Sequence, residues 1–146
     1  MLQYENSQKG KRTMAISMME AFGIELLKSN GISYEHVSQQ FSKNKIELQK
    51  EQNFDFTVLK ALFDVDQQAF EQAYTGNYSV KFLTINGLRT ILRMRFGVQA
   101  NAYETLEAGN GLSGVPATAE TEQQLRFLLS SNWKVDRHGN SLTLYV

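Results

Sequence analysis

In the first half of the chain, apolar residues return at the three-to-four-residue spacing that lays them along one face of a helix. Met14, Met18, Phe22 and Leu26, with Ala15, Met19 and Leu27 beside them, predict an amphipathic helix over residues 14–29 that Asn30-Gly31 ends. Ser33 stands where an N-cap belongs, and Val37 with Phe41 gives one apolar face to a short helix over residues 34–41. A third short helix is expected near residues 45–50. Asp55 then caps a run carrying Val58, Leu59 and Leu62. Asp66 caps another with Ala69, Phe70 and Ala73, which closes at Gly76.

After Gly76 the pattern changes. Residues 78–85 read YSVKFLTI, rich in aromatic and β-branched side chains, and Asn86-Gly87 follows directly. Both central residues of a type I′ turn need positive φ, so this dipeptide predicts a hairpin. Its second arm, residues 88–98, is ambiguous. Leu88, Ile91, Leu92 and Phe96 suit a helix, whereas Leu92, Met94, Phe96 and Val98 alternate as a strand. The strand is preferred, because a helix would set Arg95 in the middle of its apolar face. Residues 99–117 hold the GNGLSG run and the only proline, Pro116, and predict a loop with a short ordered piece over 103–106. Thr121 and Gln124 form a capping box ahead of a helix bearing Leu125, Leu128 and Leu129, ending near Asn132. The last segment, WKVDRHGNSLTLYV, predicts a hairpin turning at His138-Gly139. That register pairs Val135 with Leu142 and Trp133 with Leu144 on one face, leaving Lys134, Asp136, Ser141 and Thr143 on the other.

The pattern as a whole predicts an α+β protein: a helical N-terminal half, then a ββαββ half whose small, mainly antiparallel sheet packs on one helix. Residues 1–13 are expected to be a flexible basic lead-in. Residues 14–76 and 77–146 form a helical and a ββαββ subdomain within one compact unit. With 42% hydrophobic and 21% charged residues, the composition is that of an ordinary globular chain. Fifteen basic residues balance fifteen acidic ones, so binding to a polyanion or an anionic membrane would need a local patch. The chain has no cysteine, which removes disulfides, thiolate metal sites and cysteine nucleophiles. Residues 1–13 lack the apolar core of a secretory signal, and no stretch approaches the roughly 18 apolar residues of a membrane span. A cytoplasmic protein without a membrane partner is expected.

Catalytic patterns fail on inspection. Residues 109–114 match G-x-G-x-x-G in letters, but no strand precedes them and Pro116 interrupts the place where a helix should open. The overlapping G-x-S-x-G fails because Val115 stands where glycine is required. His36 and His138 are the only histidines, and neither belongs to a metal-ligand spacing. Asp64 and Asp66 lie close together, but Asp66 already serves as a cap. No catalytic residue, metal ligand or cofactor is expected, and the chain reads as non-enzymatic.

Residues 28–70 carry a different signal. Ser38 and Ser42 stand at the small-residue and turn positions of a helix-turn-helix, Val37, Phe41 and Leu48 at its packing positions, and Leu59 and Leu62 in a following support helix. The segment resembles a degenerate Cro/repressor-type helix-turn-helix. The resemblance implies a recognition helix over residues 45–52 carrying Lys45 and Lys50. Lys43 and Glu51 depart from the family's apolar positions, and Glu47 and Glu51 offset the two lysines.

The predicted first hairpin offers a second surface. One face holds Leu83, Ile85, Leu88, Leu92 and Met94, and the other Tyr78, Val80, Phe82, Thr84, Arg89, Ile91, Arg93 and Arg95. Arginines interleaved with aromatics suit base stacking plus phosphate contact on an open sheet. Helices covering that face would instead leave the aromatics as core. Two readings follow for a non-enzymatic binding or regulatory protein. The first is a nucleic-acid binder using Arg89, Arg93, Arg95, Tyr78 and Phe82, with Lys45 and Lys50 from the helix-turn-helix-like segment. The second is a protein-interaction module, a small inhibitor or adaptor of bacterial or phage type, self-associating as a homodimer through the same face.

Overall fold

The Ser17 hydroxyl accepts from the Glu20 amide at 3.1 Å, and the Glu20 carboxylate accepts from the Ser17 amide at 2.7 Å. This reciprocal cap starts a helix at Met18 rather than at Met14. The computed structural model describes residues 3–6, 12–44, 47 and 53–146. In place of a loose lead-in, the chain opens with antiparallel strands β1 (Gln3–Asn6) and β2 (Arg12–Ile16), followed by helix α1 (Met18–Ser29). Met14, Ala15 and Ile16 are all buried, as in a strand covered on both faces. Such a strand reads as an unbroken apolar run, and Met14 met the helical spacing by coincidence.

Helices α2 (Tyr34–Ser42), α3 (Thr57–Val65) and α4 (Gln67–Thr75) follow the apolar spacing. The Ser33 hydroxyl accepts from the His36 amide at 3.2 Å, and the Asp66 carboxylate accepts from the Ala69 amide at 3.0 Å. The rings of Tyr34, Phe41, Phe63, Phe70 and Tyr74 pack with centroids 5.6 to 6.1 Å apart and tie these helices together. The short helix expected over 45–50, and the recognition helix that the helix-turn-helix resemblance implies, lie outside the described residues. After α4, β3 (Tyr78–Val80) runs parallel to β2, with Met14 opposite Tyr78 and Ile16 opposite Val80, so the first sheet has the order β1-β2-β3.

The predicted hairpin about Asn86-Gly87 is absent. Helix α5 (Ile85–Phe96) occupies its place, capped by the Thr84 hydroxyl, which accepts from the Gly87 amide at 3.0 Å, and closed at Gly97. Asn86 and Gly87 sit in its first turn. A Cβ at residue 87 would collide with Met18 Sδ, so this glycine permits α1 and α5 to pack and makes no turn. Leu88, Ile91 and Leu92 are completely buried at helical spacing, and burial of that stripe overrides the local turn signal.

A ββαββ unit does follow, built from other strands: β4 (Glu104–Thr105), β5 (Gly111–Pro116), helix α6 (Ala119–Leu128), β6 (Lys134–His138) and β7 (Ser141–Tyr145). Their sheet is antiparallel, in the order β4-β5-β7-β6. The α+β class stands. The GNGLSG run contributes a strand where a loop was expected. Its buried residues Leu112 and Val115, facing Leu144 and Leu142, are three positions apart, and a bulge at Ser113-Gly114 restores their common face. Gly114 takes φ 71°, which glycine adopts without strain.

The closing hairpin forms one residue further on than predicted. It turns at Gly139-Asn140 and sets Val135 opposite Leu144 and Arg137 opposite Leu142. Moving the turn by one residue shifts the pairing by two, so the inward face is unchanged. Trp133, Leu142 and Leu144 are buried as expected. Helix α6 takes Thr118 as its cap, three residues before the predicted cap Thr121, and ends at Leu128, four residues before the predicted end near Asn132. Leu129 is already extended, which frees Ser130 to reach elsewhere.

Candidate functional site

The aromatic and basic residues singled out from the sequence do not share one face. Lys45 and Lys50 lie outside the described residues. Tyr78 is buried, and its hydroxyl donates to Glu25 Oε2 at 2.5 Å. Arg95 does fall on the buried stripe of α5, as the sequence reading foresaw for a helix. It is accommodated there because its guanidinium lies 5.8 Å from the Tyr78 ring and 5.5 Å from the Phe96 ring, beside the buried Glu25–Tyr78 pair. Burial raises the Tyr78 pKa well above that of a free phenol, Glu25 adds to the rise and Arg95 opposes it. Burial, with Glu25 again adding, also raises Tyr74, whose hydroxyl donates to the Ile32 carbonyl at 2.6 Å. Arg89 is used structurally as well: it donates to the Thr105 hydroxyl and lies 5.7 Å over the Tyr103 ring, fastening α5 to β4. Of the three arginines, Arg93 is exposed and Arg89 and Arg95 are half-buried.

Phe82 stands apart from all of these. It is 87% exposed, the most exposed large hydrophobic residue among those described. Its φ is 52°, in the left-handed region. The other described non-glycine residues with positive φ are Asn44 and Asn53, a residue type that tolerates this backbone, whereas an aromatic there is strained by about 1–2 kcal/mol.

The backbone on both sides of Phe82 is held by other elements. The Lys81 amide donates to the Ile16 carbonyl of β2 at 2.7 Å. Ser130 bridges the turn: its hydroxyl donates to the Val80 carbonyl at 2.5 Å and accepts from the Leu83 amide at 3.2 Å. The indole of Trp133 donates to the Leu83 carbonyl at 3.1 Å. Thr84, one residue on, directs its amide and hydroxyl at Met18 Sδ, both at 3.5 Å. Leu83 is buried, which anchors the turn from below. Strain of this kind persists only when surrounding contacts over-determine the backbone, and it concentrates at functional sites.

One surface groove lies at the turn, and a second adjoins the first. The first, of about 330 Å³, is lined by Ala15, Ser79, Val80, Lys81, Phe82, Ser130, Ser131 and Asn132. The other, of about 450 Å³, runs between the end of α6 and β6 and shares Ser130 and Ser131 with the first. Trp133 and Leu129 lie in the second, with Lys134 and Asp136. The Tyr145 hydroxyl donates to Asp136 Oδ2 at 3.0 Å, and Lys134 Nζ lies 5.9 Å over the Tyr145 ring. Each groove exceeds the roughly 150 Å³ that encloses a benzene ring in an apolar cavity.

The sequence reading named Phe82 but missed Lys81, Ser130, Trp133 and Asp136 as its companions. No local pattern marks a phenylalanine with positive φ, and the Ser130 and Trp133 hydrogen bonds span about fifty positions. Thr84 ahead of Leu88, Ile91 and Leu92 was the legible signal that a helix, and hence a turn before it, begins here. Among the described residues, no cluster of three or more His, Asp or Glu suits a metal ion, and no helix is long and apolar enough to cross a membrane. Comparison with protein-family profiles, curated proteins and solved structures returns no match.

Proposed function

We propose that the protein is a non-enzymatic protein-binding module whose contact surface centres on Phe82, the groove beside it and the second groove that adjoins that one. The observation that carries this reading is a strained, 87% exposed phenylalanine whose flanking backbone is fixed from β2, Ser130 and Trp133. A rigid aromatic projecting from a held turn loses little freedom on binding, and buried aromatics are common anchors of protein interfaces. A nucleic-acid target draws less support. The basic-aromatic face that argued for it needed Tyr78 exposed and the arginines side by side. Tyr78 is instead buried, and Arg89 and Arg95 are turned onto Tyr103 and Tyr78.

Site-specific photo-crosslinking tests the proposal. A benzophenone side chain is placed at residue 82 and, as control, at Val65, which is 70% exposed but carries no strained backbone. In nuclease-treated extract of the native cells, discrete protein adducts from position 82 and none from 65 are expected. Equal labelling from both positions, or none from 82, contradicts the reading.

A further inference from the structure

The larger groove is bordered by side chains from both faces of β6: Val135 from the face turned to α6, Lys134 and Asp136 from the other. A space reached from both faces of one strand lies along that strand's edge. β6 is the last strand in the order β4-β5-β7-β6, and no described strand pairs with its outer side. The two-residue turn at Gly139-Asn140 makes His138 and Ser141 a hydrogen-bonded pair, so His138, Asp136 and Lys134 direct their amides and carbonyls at β7. Val135 and Arg137 therefore direct theirs outward. Arg126 meets the Val135 carbonyl on this outer side in a long contact of 3.4 Å. The Val135 amide and both backbone groups of Arg137 have no hydrogen-bond partner among the described residues. Such an edge is a template for one more strand.

Charge narrows what can occupy it. Lys81, Arg126, Lys134 and Arg137 gather at this edge and at the adjoining groove, against Glu122 and Asp136. Arg126 and Arg137 share Glu122 at 2.9 and 2.6 Å, and Asp136 accepts from the neutral Tyr145 hydroxyl. Lys81 and Lys134 have no ion pair among the described residues. The surface is cationic on balance, with two ammonium groups available to carboxylates from outside. Charges on an edge discourage indiscriminate pairing and leave it to a partner of opposite sign.

From this open edge and its charge we infer that the occupant of the surface is an extended acidic segment of a partner protein, added to β6 as a further strand of the sheet. Its backbone pairs with Val135 and Arg137, and its carboxylates meet Lys134 and, through the groove joined at Ser130 and Ser131, Lys81. The inference rests on the reading of the Phe82 patch as a protein-binding surface and states the chemistry of its partner.

Amide hydrogen exchange on the purified full chain tests this, alone and with a synthetic peptide of alternating Glu and Val, about ten residues long, the upper end of ordinary strand length. In the free chain Asp136 is expected to exchange slowly and Val135 and Arg137 fast. Peptide at about 1 mM is expected to slow Val135 and Arg137, whereas the same peptide with Lys in place of Glu leaves them fast. Lys81→Glu and Lys134→Glu alter side chains outside the core, and each is expected to raise the Glu peptide concentration required at least about tenfold. Absence of slowing by the Glu peptide overturns strand addition. Equal slowing by both peptides, or by a single-stranded oligonucleotide of the same charge as the Glu peptide, overturns the acidic protein segment as occupant. Slowing that grows with the concentration of the chain alone overturns it in favour of a second copy. Discrete adducts to another protein from position 82 would still uphold the binding surface, so the two failures are distinguishable.

Discussion

Replacing Phe82 by glycine should make the protein more stable while removing its contact residue. The left-handed backbone strains a phenylalanine by about 1–2 kcal/mol, and glycine adopts it freely. Against this, glycine widens the unfolded ensemble, at a cost of roughly 0.4–1 kcal/mol. The ring is 87% exposed, so little apolar contact is forfeited. Full burial of such a side chain is worth about 1.5–3 kcal/mol, and the small shielded fraction here roughly 0.3 kcal/mol. The balance favours Phe82→Gly by about half a kcal/mol. Phe82→Ala retains the strain and should leave stability unchanged or slightly lower. Urea unfolding of the three proteins with a common slope reads these differences. If glycine is no more stable than alanine at this position, the turn is not strained and the reason for singling out Phe82 fails.

Other residues give separable tests. The Tyr34 hydroxyl is buried without a hydrogen-bond partner among the described residues, so Tyr34→Phe should raise stability by about 1 kcal/mol in urea titrations; a loss of that size would reveal a bond the packing hides. Glu25→Ala removes the acceptor of the Tyr78 hydroxyl and the carboxylate near Arg95, and should cost about 3 kcal/mol, whereas an ordinary surface glutamate costs under about 0.5 kcal/mol. The pKa values of Tyr74 and Tyr78 are raised above the free value of 10.0 in the folded state. Their contribution is therefore fully present below pH 10.0 and is lost as pH climbs beyond it, because the unfolded tyrosines ionise first. Lys28, lowered from 10.5 mainly by burial, acts in the opposite sense as its charged form is relieved. Thermal scans at rising alkaline pH should show falling stability, and Tyr74→Phe should flatten the fall; an identical pH profile for that variant contradicts the assignment.

The helical half was legible because its signals were local. Ser33 and Asp66 cap helices where hydroxyl and carboxylate stand before an apolar stripe, and Val37, Phe41, Leu59 and Phe70 are buried as their spacing requires. Strand signals failed where neighbours rewrote them. Met14 and Ile16 lack alternation because both faces of β2 are covered, and the bulge at Gly114 breaks the period of β5. Asn86-Gly87 carried a true turn signal that lost to the stripe of Leu88, Ile91 and Leu92. Arg95 was correctly placed on the apolar face of a helix. Rejecting the helix on that ground missed Glu25, seventy positions earlier, with whose Tyr78 partner Arg95 shares the interior. The candidate site was half visible for the same reason: Phe82 could be named, but its supports arrive from β2 and from residues after α6.

The central claim is that Phe82 is displayed by a fixed turn and not by a mobile loop, and amide hydrogen exchange across residues 80–84 reads this directly. The Lys81 amide is bonded to Ile16 and the Leu83 amide to Ser130, while Phe82 itself is exposed between them. The account predicts protection at Lys81 and Leu83, fast exchange at Phe82, and loss of the Leu83 protection in Ser130→Ala. Exchange of all three amides at the rate of an unstructured chain would contradict it.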